Sequence, residues 1–306
     1  MTDQLKSERL IPASAPGQAG PAGRASDAID SNRLAYTGRA VPAPVQAARA
    51  RSRGVWYCTE ATLRSMRGYG YPILIEALLQ PLLYLLSLGV GLNALIHTPV
   101  AGVGYLEFVA PALLVSTVVM AASGELTYPV LGGFKWQRTY FGALATPVTP
   151  AQIALGHLLG VTFRFAAQAL AFWIVLAAFG ASRSPWSWLL VPIGTLSAVA
   201  FGALLQAYSA SILDEGAQFA FVQRFVVMPM FLFAGTFFPL EAMPGYLQWI
   251  GWVSPIWHGT QLARMASFGM PNPGWLTAVH LAFLVACVVA GCLLSVRVYR
   301  RRLGAG

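Results

Sequence analysis

A chain of 306 residues in which 57% are hydrophobic and only 10% charged has too few charges to coat a soluble globule, so its composition points into lipid and excludes an ordinary water-soluble domain. Its formal charge of +9 does not make a nucleic-acid surface, because the Arg residues flank apolar segments instead of forming a basic face with interleaved aromatics, and no nucleic-acid partner is expected. Three cysteines, Cys58, Cys287 and Cys292, show neither metal-site spacing nor the even count of a disulfide framework, and read as small core residues.

In chain order, residues 1–44 are polar and rich in Ala, Pro, Gly and Arg. They lack the apolar core of a secretory signal and read as a disordered cytoplasmic tail. Residues 45–71 contain Val55, Cys58, Thr62 and Met66 at helical spacing, with Arg64 and Arg67 off that face. This predicts an interfacial helix with Trp56, Tyr57, Tyr69 and Tyr71 at headgroup level, the alternative being a solvated linker. Residues 72–303 form the transmembrane domain. Hydropathy predicts six spans there: Ile73 to Ile96, Phe108 to Leu131, Ile153 to Phe179, Trp188 to Leu213, Phe219 to Phe238, and Trp275 to Val296. The expected fold is thus an all-α membrane protein of six transmembrane helices with an N-terminal interfacial helix.

Lys and Arg distribution orients these spans. Arg51, Arg53, Arg64 and Arg67 precede the first, Lys135 and Arg138 follow the second, and Arg297, Arg300, Arg301 and Arg302 close the chain, so these regions and both termini read as cytoplasmic. The first loop has no Lys or Arg, the third only Arg183, and the connection after the fifth span only Arg264, so these face outward.

The stretch MPMFLFAGTFFPLEAMPGYLQWIGW (228–252) continues the fifth span too far for one crossing and too little for two. Pro239, Pro244 and Gly245 interrupt it and Glu241 sits within it. Tyr246, Trp249 and Trp252 recur where aromatic rings favour the interface, and Pro255 and His258 lie in the closing SPIWHG. An extracellular re-entrant helical hairpin between the fifth and sixth spans fits. Its broken backbone would sit against protein or water, because non-helical backbone cannot face lipid. Met228, Met230, Phe233 and Phe237 then line a path suited to acyl chains or polycyclic groups, with plain lipid contact as the alternative.

Glu76, Glu125, Arg164 and Arg224 are intramembrane charges. Each costs at least about 2.5–3.5 kcal/mol at mid-bilayer, so each needs a partner or a route to water. Arg164 lies deepest and calls for a carboxylate, Glu76 or Glu125, whereas the others can snorkel or pair locally. His97, His157, His258 and His280 fall on separate segments without a carboxylate at helical spacing. They read as ordinary polar positions, so no catalytic or metal site is expected. GHLLG (156–160) has the small-xxx-small pattern of close helix packing.

On the cytoplasmic side, GGFKWQRTYFGALATPVTP crowds Phe134, Trp136, Tyr140 and Phe141 around Lys135 and Arg138, and Thr149 before Pro150 reads as a helix start. Such aromatics serve a partner-docking surface or anchor the loop in the membrane interface, and the residues alone do not choose. Asp214 to Gly216 form a second, acidic turn. A phosphate-binding loop needs Lys after Gly, but Lys6 and Lys135 follow Leu and Phe, so any ATP hydrolysis must lie on another chain.

Six spans, the GGFKWQRTYFGALATPVTP loop, the DEG turn and RFVVMPMFLFAGTFFPLEAMPGYLQWIGWVSPIWHG together resemble the permease subunit of ABC-2 type exporters. Within that family the chain is similar to the nodulation lipo-oligosaccharide and daunorubicin-resistance branch, over about Gly70 to Arg302. The resemblance implies two permeases, as a homodimer, with two cytoplasmic ABC ATPase subunits that bind the ATP and Mg. It places the unit in a bacterial plasma (inner) membrane, in contact with lipid. It also implies that the interfacial helix and the loop bearing Lys135, Trp136, Arg138, Tyr140 and Thr149 meet the ATPase, and that residues 241–257 form the outer hairpin. The expected function is ATP-driven export of an amphiphile such as a lipo-oligosaccharide, lipid-linked glycan or hydrophobic drug. An ion-coupled secondary transporter would instead show inverted repeats and midplane carboxylates. A membrane acyl or glycosyl transferase would show an acidic pair or a His-Asp constellation, for which Glu241 with His258 is the nearest candidate.

Overall fold

The computed structural model describes residues 43–87, 91, 99–181 and 184–304. The tail expected over residues 1–44 lies almost entirely outside them, as do His97, Arg183 and most of the last third of the expected first span. Every named element is helical among the described residues, apart from an isolated bridge between Val100 and Val103. In chain order these are α1 (Ala43–Arg67), α2 (Gly70–Leu86), α3 (Tyr105–Glu125), α4 (Tyr128–Lys135), α5 (Thr139–Leu144), α6 (Pro150–Ala178), α7 (Leu190–Ser211), α8 (Gln218–Phe233), α9 (Gly245–Trp252), α10 (Pro255–Phe268) and α11 (Gly274–Arg302).

Four helical stretches are long and apolar enough to cross a bilayer: Tyr105–Lys135, Pro150–Ala178, Ser187–Ser211 and Gly274–Arg302. They correspond to the second, third, fourth and sixth expected spans. The first of the four bends at Leu126–Thr127, where the Thr127 hydroxyl donates to the Ser123 carbonyl (2.8 Å) and Pro129 removes a backbone donor, then continues as α4. The last runs on to Arg302, past the Val296 end expected from hydropathy, because Tyr299 is buried and Arg302 binds the carbonyls of Ala210 (2.8 Å) and Ile212 (2.6 Å) at the end of α7.

The fifth expected span is different. α8 stops at Phe233 rather than Phe238 and is shorter than a crossing. Pro229 cannot donate to the carbonyl four residues back, and a π turn over Gln223–Val227 widens the helix just before it. Gly235, at φ 73°, then turns the chain away in a conformation that side-chain-bearing residues rarely adopt. α8 and the turn that follows it are tied to α3 at three levels: the Ser123 hydroxyl donates to Gln223 (2.6 Å), Ser116 and Thr236 share a hydrogen bond (3.0 Å), and the Tyr105 hydroxyl donates to the Phe237 carbonyl (3.3 Å).

Helix α7 is the hub, packing on α3, α6, α10 and α11. Small residues allow this. A Cβ at Gly194 would meet Leu114, one at Gly202 would meet Leu126, and one at Gly291 would meet Ala203. α1 and α2 meet at an 86° bend. α1 lies against the start of α6, where the GHLLG pair acts: Gly156 and Gly160 abut Cys58 and Thr62, and the Thr59 hydroxyl donates to the Gly156 carbonyl (3.1 Å). The small-xxx-small pattern therefore seats the N-terminal helix on α6.

Beyond Gly235 the chain forms a 3-10 turn at Leu240–Ala242, then α9 and α10. The sequence reading ended its outer element near SPIWHG. In the structure that segment opens a helix, because Ser254 caps it through the Ile256 amide (3.1 Å) and Pro255 occupies the first turn. α10 is a core helix. Ile256, Ala263 and Arg264 are buried, and at Gly259 a Cβ would collide with Ser197 and Val115.

Candidate functional site

Arg164 on α6 is almost wholly buried and lies between two carboxylates: Nη1 pairs with Glu125 at the end of α3, and Nη2 donates to Glu76 on α2 at 3.2 Å. The deep cation demanded by the sequence thus meets both candidate partners, while Arg224 is exposed. Two carboxylates against one guanidinium leave the group formally one charge negative.

The residues of the loop between α4 and α6 separate into surface and interior. Lys135, Trp136, Arg138 and Thr149 are exposed, and Lys135 reaches Asp214 of the DEG turn at 3.6 Å. Arg138 joins α4 to α5 at φ 51°, a left-handed conformation uncommon outside glycine. Thr149 caps α6 reciprocally: its hydroxyl accepts from the Gln152 amide (3.3 Å) and its own amide donates to the Gln152 side chain (2.9 Å). Gln152 also donates to the Arg51 carbonyl of α1 (2.6 Å), joining loop, α6 and α1 at one point.

Tyr140 is buried, so its ring faces inward. It packs edge-on to Phe134 (centroids 4.7 Å apart), beside Tyr299 (5.3 Å) and near His157 (5.9 Å). Burial, and secondarily the adjacent Tyr299, push its phenol well above the ordinary value and keep it neutral. Gln206 of α7 donates to the Tyr299 hydroxyl (3.4 Å) and to the Ala154 carbonyl of α6 (2.9 Å), and the Arg302 guanidinium lies over the Phe134 ring (4.2 Å). The loop is thus joined through packed side chains to α6, α7 and α11. A cavity of about 600 Å3 opens beside this cluster, lined among others by Cys58, Tyr69, Glu125, Trp136 and His157.

On the opposite side of the bundle, Pro239 lies half-buried, while Glu241, Pro244, Gly245 and Trp249 are exposed and Pro255 is buried. Of the apolar path residues, Met228 is exposed, Phe233 and Phe237 are half-buried and Met230 is buried. Two features here escaped the sequence reading. Arg264, read only as a loop charge, is 1% exposed. It donates to the carbonyls of Phe108 (3.2 Å), Gly235 (2.7 Å) and Thr236 (3.3 Å) and stacks 3.6 Å from the Phe108 ring centre, satisfying the carbonyls freed where α8 breaks. His258 and His280, which fall on separate segments, meet through Nδ1 atoms 2.8 Å apart. His258 Nε2 donates to the Trp252 carbonyl (3.0 Å), and its ring stacks on Phe283. The partner of His258 is thus His280 and a carbonyl, with Glu241 exposed apart from them. Among the described residues no group of three or more metal-ligating side chains converges. Pairing across 22 residues leaves no local sequence signal.

Residues 53–268 match the family model described as ABC-2 type transporter. The chain belongs to the ABC-2 type transporter family. It is 29% identical to Nodulation protein J of Rhizobium leguminosarum bv. viciae over 228 residues, covering 74% of this chain and 86% of that protein. Identity to Nodulation protein J of Rhizobium meliloti (strain 1021) is also 29%, over 74% of this chain and 85% of that one. The Probable multidrug ABC transporter permease YbhR of Escherichia coli (strain K12) is 31% identical over 52% of this chain and 43% of its own. As an ABC-2 type chain with several bilayer-length apolar helices, it is a multi-pass membrane component of a transport system, and the family as a whole works with ABC ATPases.

Proposed function

We propose that this ABC-2 chain is the membrane-spanning permease subunit of an ATP-driven exporter that moves an amphiphilic substrate, a lipo-oligosaccharide, lipid-linked glycan or hydrophobic drug, out of the cytoplasm. The observation that carries this reading is the wiring of an exposed loop into the bundle: Trp136 and Arg138 stand at the surface while Tyr140, two residues on, locks against Tyr299 and through Gln206 onto α6 and α7. A surface so connected suits a motor on a separate chain. ATP and Mg belong to that cytoplasmic ATPase, which docks on Lys135, Trp136, Arg138 and the Thr149 turn together with α1, while Tyr140 transmits the push. Two copies of the permease, most simply identical, sit in the bacterial inner membrane with both termini in the cytoplasm. α2 and α8 complete six passages, and residues 239–258 enter the outer leaflet and return. Met228, Met230, Phe233 and Phe237 flank the apolar part of the route. Closure of the ATPase pair then shifts the loop and α1, and the bundle changes between two packings.

Co-purification of the tagged chain from its native host tests the proposal. A stoichiometric ABC ATPase is the expected companion, and Arg138→Ala is expected to lower transport at least tenfold while ATP hydrolysis continues. Substrate movement by the chain reconstituted without any ATPase would refute it.

A further inference from the structure

On α2 and at its C-cap, Glu76, Gln80, Tyr84 and Ser87 follow one another at steps of four, four and three residues and so share one helical face. With Leu79 and Leu83 they line a groove of about 530 Å3. The Tyr84 ring lies 6.3 Å from that of Phe231 on α8, which fixes Tyr84 at the edge of the bundle. Such a polar file cannot face hydrocarbon without cost, and intramembrane polar groups mark interior surfaces or substrate routes. Its charge is the telling feature. Glu76 is half exposed and gives one oxygen to Arg164; its other oxygen has no partner among the described residues. Arg164 is shared with the more deeply buried Glu125, so the groove keeps the unbalanced negative charge of the triad.

We propose that this groove binds the protonated amine of a cationic amphiphile, with Glu76 as the charged contact, Gln80, Tyr84 and Ser87 as hydrogen-bond partners, and Leu79 and Leu83 along the tail. The inference rests on the exporter reading and narrows its cargo. Gln, Tyr and Ser both donate and accept, but a free carboxylate oxygen only accepts, so a head rich in donors is favoured and a phosphate or carboxylate head is repelled.

The test uses the permease with its co-purified ATPase in lipid nanodiscs and a dodecylamine carrying a diazirine at the tail end. Irradiation and peptide mapping are expected to place the label on the segment containing Leu79 and Leu83. Dodecylammonium should compete, while dodecyl phosphate should need at least tenfold more. Glu76→Gln should raise the half-saturating probe concentration about tenfold or more, the scale of one charge-assisted hydrogen bond, and Glu76→Asp should restore most of the affinity. Equal competition by the amine and the phosphate in the unmodified protein would overturn the proposal without recourse to any variant. So would labelling confined to other segments, or a Glu76→Gln protein that loses its dimer but labels unchanged, which would assign the stripe to contact between two copies. The two readings fail separately: correct labelling on a chain that recruits no ATPase removes the exporter and keeps the site, whereas an ATPase-coupled complex indifferent to head charge removes only the site.

Discussion

Replacing Arg164 by Met would leave Glu125, 13% exposed, and Glu76 facing each other without a cation. Removing one member of a buried ion pair costs about 3–5 kcal/mol, so this variant should melt well below the parent in detergent, while Glu125→Gln, which keeps the Glu76 contact, should lose far less. Equal melting temperatures for all three proteins would show that the triad contributes little to stability. Arg138 provides the converse case. Its left-handed backbone costs about 1–2 kcal/mol that glycine would not incur, so Arg138→Gly should be no less stable than the parent and still lose coupling if the side chain meets the ATPase. Sequence alone foresaw that Arg164 needs a carboxylate, because the cost of an isolated charge in lipid is independent of the fold. It did not foresee that Arg264 is more deeply buried still. Its partners are three backbone carbonyls, from a helix entrance and a broken helix end, and carbonyls leave no mark in a sequence.

α10 carries the sharpest difference between pattern and structure at the level of elements. In an apolar chain, hydropathy separates membrane from water but not lipid-facing from core-facing helices, so a fourteen-residue helix packed between α3 and α7 read as a connection. Its packing is testable. Gly259→Leu would drive a side chain into Ser197 and Val115, and such overpacking costs about 1–3 kcal/mol or more. Gly245→Ala, with nothing within 4 Å of the added carbon, should leave the melting temperature unchanged. The four long helices were legible because their apolar runs exceed a bilayer's thickness, and the end that departs most from expectation, that of α11, is one that a specific side chain, Arg302, extends. α5 gives a related contrast. The crowding of rings around Lys135 and Arg138 was readable, but which of them turn inward depends on Tyr299, 159 positions away. Tyr140→Phe should keep both packing and coupled transport. Tyr140→Ala should lose about 3–5 kcal/mol of stability and the coupling with it, since it empties the space between α5 and α11.

For the whole molecule the number of passages through the bilayer turns on the short α8. Its Pro229 and π turn shorten it, and Arg264 removes the penalty of ending it among apolar helices, so an element somewhat short of a full crossing, followed by α9 and α10, is physically consistent with a chain that reaches the outer leaflet and turns there. Trp186, Trp249 and Trp275 are each more than half exposed, on the segment before α7, on α9 and at the start of α11, while Trp136, also exposed, belongs to the proposed ATPase face. In a background with Cys58, Cys287 and Cys292 changed to Ser, single cysteines at 186, 249 and 275 should react with a membrane-impermeant maleimide in intact cells. A cysteine at 136 should react only after the membrane is opened. Position 249 discriminates most strongly: between α8 and α11 there is room for a dip and return, so labelling there from the cytoplasmic side alone would require α8 to return to the side it started from and α10 to be rebuilt as the crossing. That would break both the Arg264 contacts to Gly235 and Thr236 and the close approach of Gly259 to α7.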